Sequence, residues 1–154
     1  MIRIGKVQWA FGTALIVTAS VLVAAAGCGK SASDLYAEGK SLVSNPETTA
    51  QGLVVLEKFV KRFAKDSRTP EVMLAIATIN QSEKRFSEAE QAFQRLIEKY
   101  PSSAEACKAR FLLGYMYYDD MKDTEKAKKA LNEFITAYPE SSLAVSAKVL
   151  LENI

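Results

Sequence analysis

Two stretches decide how this chain folds: FSEAEQAFQRLIEKY, residues Phe86–Tyr100, and TEKAKKALNEFITAY, residues Thr124–Tyr138. Set 38 residues apart, they agree position by position: Ala89 with Ala127, Ala92 with Ala130, Phe93 with Leu131, Ile97 with Ile135, and Tyr100-Pro101 with Tyr138-Pro139. The register holds downstream, where Ala106, Ala109, Leu112 and Leu113 fall opposite Ala144, Ala147, Leu150 and Leu151. An earlier copy lies 37 residues upstream, with Gly52, Val55, Leu56, Phe59, Val60 and Phe63 opposite Ala89, Ala92, Phe93, Leu96, Ile97 and Tyr100. Small residues, large residues and a closing aromatic keep step three times, and self-similarity at a fixed period of this size marks a repeat protein.

Within each unit the apolar residues recur three and four apart, the spacing of one helix face. Pro46, Pro101 and Pro139 punctuate the gaps, because proline cannot donate to an ongoing helix. Ser87 with Glu90 and Ser102 with Glu105 have the spacing of capping boxes. Thr69-Pro70 places a capping residue ahead of a proline at the first helical position. The pattern predicts seven helices, over 34–44, 48–64, 70–82, 87–99, 103–119, 124–137 and 141–153, and no alternating run that reads as a strand.

The pattern resembles tetratricopeptide repeats, whose motif sets a small residue on the first helix of each pair, a small residue and an aromatic on the second, and proline at the end. Gly39, Ala77 and Gly114 fill the first small position; Gly52, Ala89 and Ala127 fill the next; Leu56, Phe93 and Leu131 supply the large apolar residue. Ala64, Pro101 and Pro139 take the terminal place, Ala64 departing from the motif, and Glu152 breaks the series where the solenoid should stop. The family repeat is 34 residues, and the extra residues here fall in the turns. The resemblance implies an all-α fold: a right-handed solenoid of about three helical hairpins plus a C-terminal capping helix, over residues 34–154. The longer repeat and its Tyr-Pro-x-Ser closures (Tyr100–Ser103, Tyr138–Ser141) are similar to the branch containing the outer-membrane β-barrel assembly lipoprotein BamD and the periplasmic Tol-Pal-associated coordinator of cell division. Both are extracytoplasmic adaptors, although BamD-like proteins carry more repeats than this chain has room for.

In such a solenoid the first helix of each pair lines a concave groove. Projecting the family's groove positions gives Tyr36 and Lys40, then Glu71, Leu74, Thr78 and Gln81, then Lys108, Phe111, Tyr115, Tyr118 and Asp119. Phe111, Tyr115 and Tyr118 stand at i, i+4 and i+7, one face of an uninterrupted helix. Aromatics suit a gripping surface, since they offer large area with few torsions to freeze. Leu112, Leu113, Met116 and Tyr117 supply a separate core-facing set on the same helix.

The N-terminus carries a different message. Arg3 and Lys6 precede an uncharged stretch, Val7–Gly29, that ends in Ala24-Ala25-Ala26-Gly27-Cys28. A positive start, an apolar middle and small residues before a cut describe a secretory signal. A cysteine directly after them resembles the lipobox of bacterial lipoproteins, with Ala25 where the family prefers Leu. On that resemblance residues 1–27 are removed between Gly27 and Cys28, Cys28 carries lipid, and residues 28–33 form a tether. An ordinary transmembrane anchor of about 20 apolar residues and a lipid-free cut after Ala-x-Ala are the competing readings. Gly29, rather than Asp, follows the cysteine, and by similarity with enteric lipoproteins this argues against retention in the inner membrane, so the periplasmic face of the outer membrane is the expected location. The linker Gly29–Ser33 reaches at most about 18 Å.

Of 154 residues, 20 are Lys or Arg and 18 Asp or Glu. Arg3 and Lys6 fall in the leader, so residues 28–154 are evenly balanced and offer no electrostatic footprint for nucleic acid. Histidine is absent, which removes the commonest general base and metal ligand. Cys107 has no internal partner once Cys28 is acylated and reads as a packed thiol. Asp119, Asp120 and Asp123 lack calcium-loop spacing and read as a solvated turn. No catalytic residue, metal site or small-molecule cofactor is expected. Two functions remain: a lipid-anchored envelope adaptor holding a protein or peptide in its groove, for outer-membrane assembly, division or a secretion or pilus complex; and a cell-wall-active enzyme or its accessory subunit, which requires paired carboxylates across a cleft. The sequence favours the adaptor.

Overall fold

Each small position of the three repeats is buried at a helix crossing in the computed structural model, which describes residues 29–154. The helices are α1 (Ala32–Val43), α2 (Thr49–Arg62), α3 (Thr69–Ser82), α4 (Phe86–Lys99), α5 (Ala104–Tyr115), α6 (Thr124–Ala137) and α7 (Ser142–Glu152). A 3-10 turn at Pro46–Thr48 precedes α2, and a π turn at Met116–Asp120 extends α5. Among the described residues there is no strand. The pairs α1/α2, α3/α4 and α5/α6 are antiparallel hairpins, each stacked on the next, and α7 closes the stack against α5 and α6.

The hairpins close tightly for a steric reason. A Cβ added at Gly114 would stand 2.8 Å from Leu131 Cδ2, and one at Gly39 would run into the side chain of Leu56. The large residue of the second helix thus fills the space that the glycine of the first leaves open. Gly52 meets backbone as well: a Cβ there would lie 2.8 Å from the amide nitrogen of Val43. Leu56, Phe93 and Leu131 are fully buried, as are Ala77, Ala89 and Ala127. Ala127→Leu therefore overfills the α5/α6 crossing, and overpacking typically costs about 1–3 kcal/mol. Its melting temperature should fall without any ligand present; an unchanged melting curve would contradict the repeat register.

The closing tyrosines link one repeat to the previous one. Tyr100 Oη donates to the carbonyl of Ala64 at 2.5 Å, and Tyr138 Oη donates to the carbonyl of Pro101 at 3.4 Å. Both acceptors occupy the terminal position of the preceding repeat. A carbonyl serves whatever side chain it carries, so Ala64 substitutes there for proline without loss of the bond. Phe63, the equivalent of these tyrosines in the first described repeat, carries no hydroxyl.

The helix starts depart from expectation in three places. Ser87 lies inside α4, which begins at Phe86 without a side-chain cap, so Ser87 and Glu90 form no capping box. The α5 cap is Ser103, whose hydroxyl accepts from the Ala106 amide, one residue beyond the expected Ser102. Thr69 is already helical and fully buried, and its hydroxyl donates to the Phe63 carbonyl at 2.6 Å, closing the end of α2 rather than the start of α3. A capping box does form at Ser31 and Asp34, and it starts α1 at Ala32, two residues early. In the second and third hairpin turns Lys84 and Lys122, 38 residues apart, adopt φ of 58° and 55°. The left-handed region costs an L-residue about 1–2 kcal/mol, so the shared turn geometry is imposed by hairpin closure.

Candidate partner-binding face

Helix α3 neighbours α5, and α5 neighbours α7, while α1 reaches α3 through side chains. At the N-terminal end Tyr36 Oη donates to Glu71 Oε1 at 2.9 Å, and Lys40 Nζ lies 3.5 Å from the same oxygen. The Arg68 guanidinium stands 5.0 Å over the Tyr36 ring. The hydrogen bond to Glu71, followed by desolvation, raises the pKa of the Tyr36 phenol. Arg68 is itself held by Asp66 at 2.8 Å, and that pair lowers the Asp66 carboxyl to about 2. A depressed carboxyl favours the fold above its ordinary pKa, so this contribution is present at neutral pH and fades only as pH falls from about 4 towards 2. Tyr36, Lys40 and Glu71 thus form one polar cluster.

The middle of the face is less available. Leu74 is half-buried against the main core. Thr78 satisfies its hydroxyl on its own helix, donating to the carbonyls of Leu74 and Ala75 at 3.1 Å. Gln81 reaches across to Asp120 Oδ2 at 2.6 Å, tying α3 to the π turn.

At the C-terminal end the face opens into an apolar cleft of about 480 Å³ between α5 and α7. Phe111, Leu112 and Tyr115 line one wall; Val145, Ser146, Val149 and Leu150 line the other. Phe111 is anchored edge-on against Phe134 at 5.7 Å between centroids and stacks on Tyr115 at 6.5 Å. Tyr115 Oη donates to Asp119 Oδ2 at 2.9 Å, and Lys122 Nζ pairs with Asp119 at 3.3 Å. Those two bonds, the tyrosine's first, hold the Asp119 carboxyl below its usual range, while Asp119 raises the Tyr115 phenol.

Tyr118 does not join Phe111 and Tyr115 in this cleft; it packs against the main core. The reason is the π turn: Met121 N–H reaches the Met116 carbonyl at 3.0 Å, five residues back, so residues beyond Tyr115 leave the 3.6-residue spacing that the i, i+7 reading assumed. Lys108 is exposed on α5 and forms no ion pair among the described residues. Leu113, Met116 and Tyr117 are buried in the core as expected, whereas Leu112 of the same expected set is half-buried and lines the cleft. The remaining aspartates have structural partners, Asp120 on Gln81 and Asp123 accepting from the Lys126 amide at the start of α6. Among the described residues no group of three or more His, Cys, Asp or Glu side chains could hold a metal ion. Cys107 is half-buried against the second core cluster, its thiol 3.8 Å from Ser141 Oγ. Gly27 and Cys28 lie outside the described residues.

The valines were missed because α7 reads only as a cap. Val145 and Val149 are 69% and 51% exposed, four residues apart on one face. Their signal is an excess: α7 also carries Leu143, Ala144, Ala147, Leu150 and Leu151, more apolar surface than the one face that α5 and α6 cover. A second cleft of about 490 Å³ lies on the opposite side, between α2 and α4. It is bridged by the Glu57–Arg95 ion pair at 2.6 Å and holds no aromatic.

The family described as outer membrane lipoprotein, YfiO, matches residues 29–154, which is every residue the structure describes. The chain belongs to this family. It is an outer membrane lipoprotein with tetratricopeptide-like architecture, in agreement with the branch indicated by the Tyr-Pro closures. Among the curated proteins none matches the chain. No described helix is long and apolar enough to cross a membrane.

Proposed function

We propose that the protein is an adaptor on the periplasmic face of the outer membrane, held by lipid on Cys28, which grips an apolar segment of a partner protein in the cleft between α5 and α7. The observation that carries this reading is the cleft itself: two aromatics on one wall and two well-exposed valines on the other, at the end of the helix row that lines the groove. Stacked and anchored rings lose little freedom when a partner docks. The polar cluster of Tyr36, Lys40 and Glu71 at the far end offers a hydrogen-bonding rail for the same segment.

The reading is of a scaffold and not a catalyst. A general acid needs a carboxyl raised towards neutrality, and Asp119, the carboxylate beside the cleft, is shifted the other way. Its two partners, Tyr115 and Lys122, hold it as a structural anion.

The test begins with the partner recovered with the intact chain from detergent-solubilised membranes, then titrated against variants. Tyr115→Ala removes a half-exposed ring and should fold with near-normal stability while weakening binding about 30-fold, the cost of about 2 kcal/mol typical of a hot-spot aromatic. Tyr118→Ala should do the opposite, losing stability because its ring packs on the core, with affinity per folded molecule unchanged. A Tyr115→Ala protein that binds as tightly as wild type would remove the cleft from consideration.

A further inference from the structure

The outer side of α2 carries a basic surface beside the point where the chain leads back to residue 28. Lys58, Lys61 and Arg62 stand at i, i+3 and i+4 and share one helix face, and Lys65 follows in the turn. All four are exposed, whereas Leu56, Phe59 and Val60 of the same helix are buried. Among the described residues no carboxylate lies within ion-pair distance of any of the four. Their neighbours differ: Arg68 is tied to Asp66 and Lys30 to Glu38. The charge is concentrated here, since residues 28–154 as a whole balance evenly.

Position gives this surface its meaning. The antiparallel α1/α2 hairpin brings the start of α1 beside the end of α2. A Cβ added at Gly29 would lie 2.7 Å from both terminal nitrogens of Arg62. Cys28 directly precedes Gly29 in the sequence. Lipid on Cys28 therefore brings Arg62 and its three basic neighbours to the headgroup layer.

We propose that this face of α2 rests on the anionic phospholipid headgroups of the bilayer that holds the chain. Together with the acyl anchor it supplies two attachment points, which fix the orientation of the first hairpin. The cleft between α5 and α7, at the other end of the stack, then faces away from the bilayer. The placement rests on acylation at Cys28; the charge preference does not, and the two are measured separately.

A basic side chain at an anionic membrane surface multiplies partitioning about fivefold, so four together are worth on the order of several hundredfold. The test uses residues 28–154 with Cys28→Ser, which lacks an acyl group but keeps every buried residue of the described core. Its sedimentation is measured with vesicles of phosphatidylcholine and of an equimolar mixture with phosphatidylglycerol. The chain should bind the mixed vesicles and not the neutral ones, and added salt should release it. Reversing Lys58, Lys61, Arg62 and Lys65 to Glu should lower binding by about 100-fold or more. These side chains are exposed, so circular dichroism should stay unchanged. Reversing Lys128, Lys129 and Lys148, at the far end of the stack, should leave binding nearly intact. Equal binding to both vesicles, or equal loss in the two charge-reversed chains, overturns the proposal. Acylation is read independently from the mass of the chain extracted from membranes, so a lipid-free Cys28 and a failed charge preference are distinct results.

Discussion

Phe93→Ala should destabilise the protein by about 3–5 kcal/mol, the range for emptying a fully buried aromatic site. Phe93 has no exposed surface and sits on α4 in the middle repeat, inside the main core. The loss is large against the roughly 5–15 kcal/mol that holds a typical domain folded. Position matters as well as size. In a stacked array each repeat is stabilised by its neighbours, and the middle hairpin has one on each side. A cavity there weakens both interfaces, so the urea midpoint should fall and the transition should broaden. Phe93→Leu offers a built-in comparison, because Leu56 and Leu131 fill the same position in the flanking repeats. It should cost markedly less than the alanine. If Phe93→Ala unfolds within about 0.5 kcal/mol of wild type, as ordinary surface substitutions do, the α3/α4 crossing is not packed as described.

The helices were readable because their cause is repetitive. Gly39, Ala77, Gly114, Gly52, Ala89 and Ala127 recur at a fixed interval, and each marks a place where two helices must touch. A crossing needs only smallness on one side and bulk on the other, and both are written in residue type. What depended on a single atom was harder to see. Ser103 rather than Ser102 caps α5, and Thr69 serves the helix before it, because a hydroxyl's direction is set by backbone that the sequence does not specify. Lys84 and Lys122 carry no mark of their left-handed backbone, since lysine is not a residue that favours it. The π turn at Met116–Asp120 likewise has no proline or glycine to announce it, and it is what separates Tyr118 from Phe111 and Tyr115. The cleft was half legible. The resemblance projects Phe111 and Tyr115 onto the groove and helix spacing sets them on one face, while Val145 and Val149 emerge only from their exposure on the folded α7.

Cys28→Ser should convert a firmly anchored protein into one that salt can remove. Each buried methylene contributes about 0.8 kcal/mol, and a single acyl chain gives only marginal, reversible attachment with K of about 10⁴ M⁻¹. A lipoprotein-type group brings two or three chains, enough for attachment that salt does not touch and only detergent reverses. Without it, the α2 surface alone remains. Electrostatic contact of that kind collapses in about 1 M salt, where the screening length is near 3 Å. Washed membranes should therefore keep the wild type and lose the mature-length Cys28→Ser chain. Size separates this result from failed processing. A precursor that keeps residues 1–27 runs larger and stays in the membrane through its uncharged Val7–Gly29 stretch, whatever residue 28 is. Wild type that washes off in salt, or mature wild type whose mass shows no lipid, would overturn attachment through Cys28. The basic face would then be a weak membrane contact acting alone.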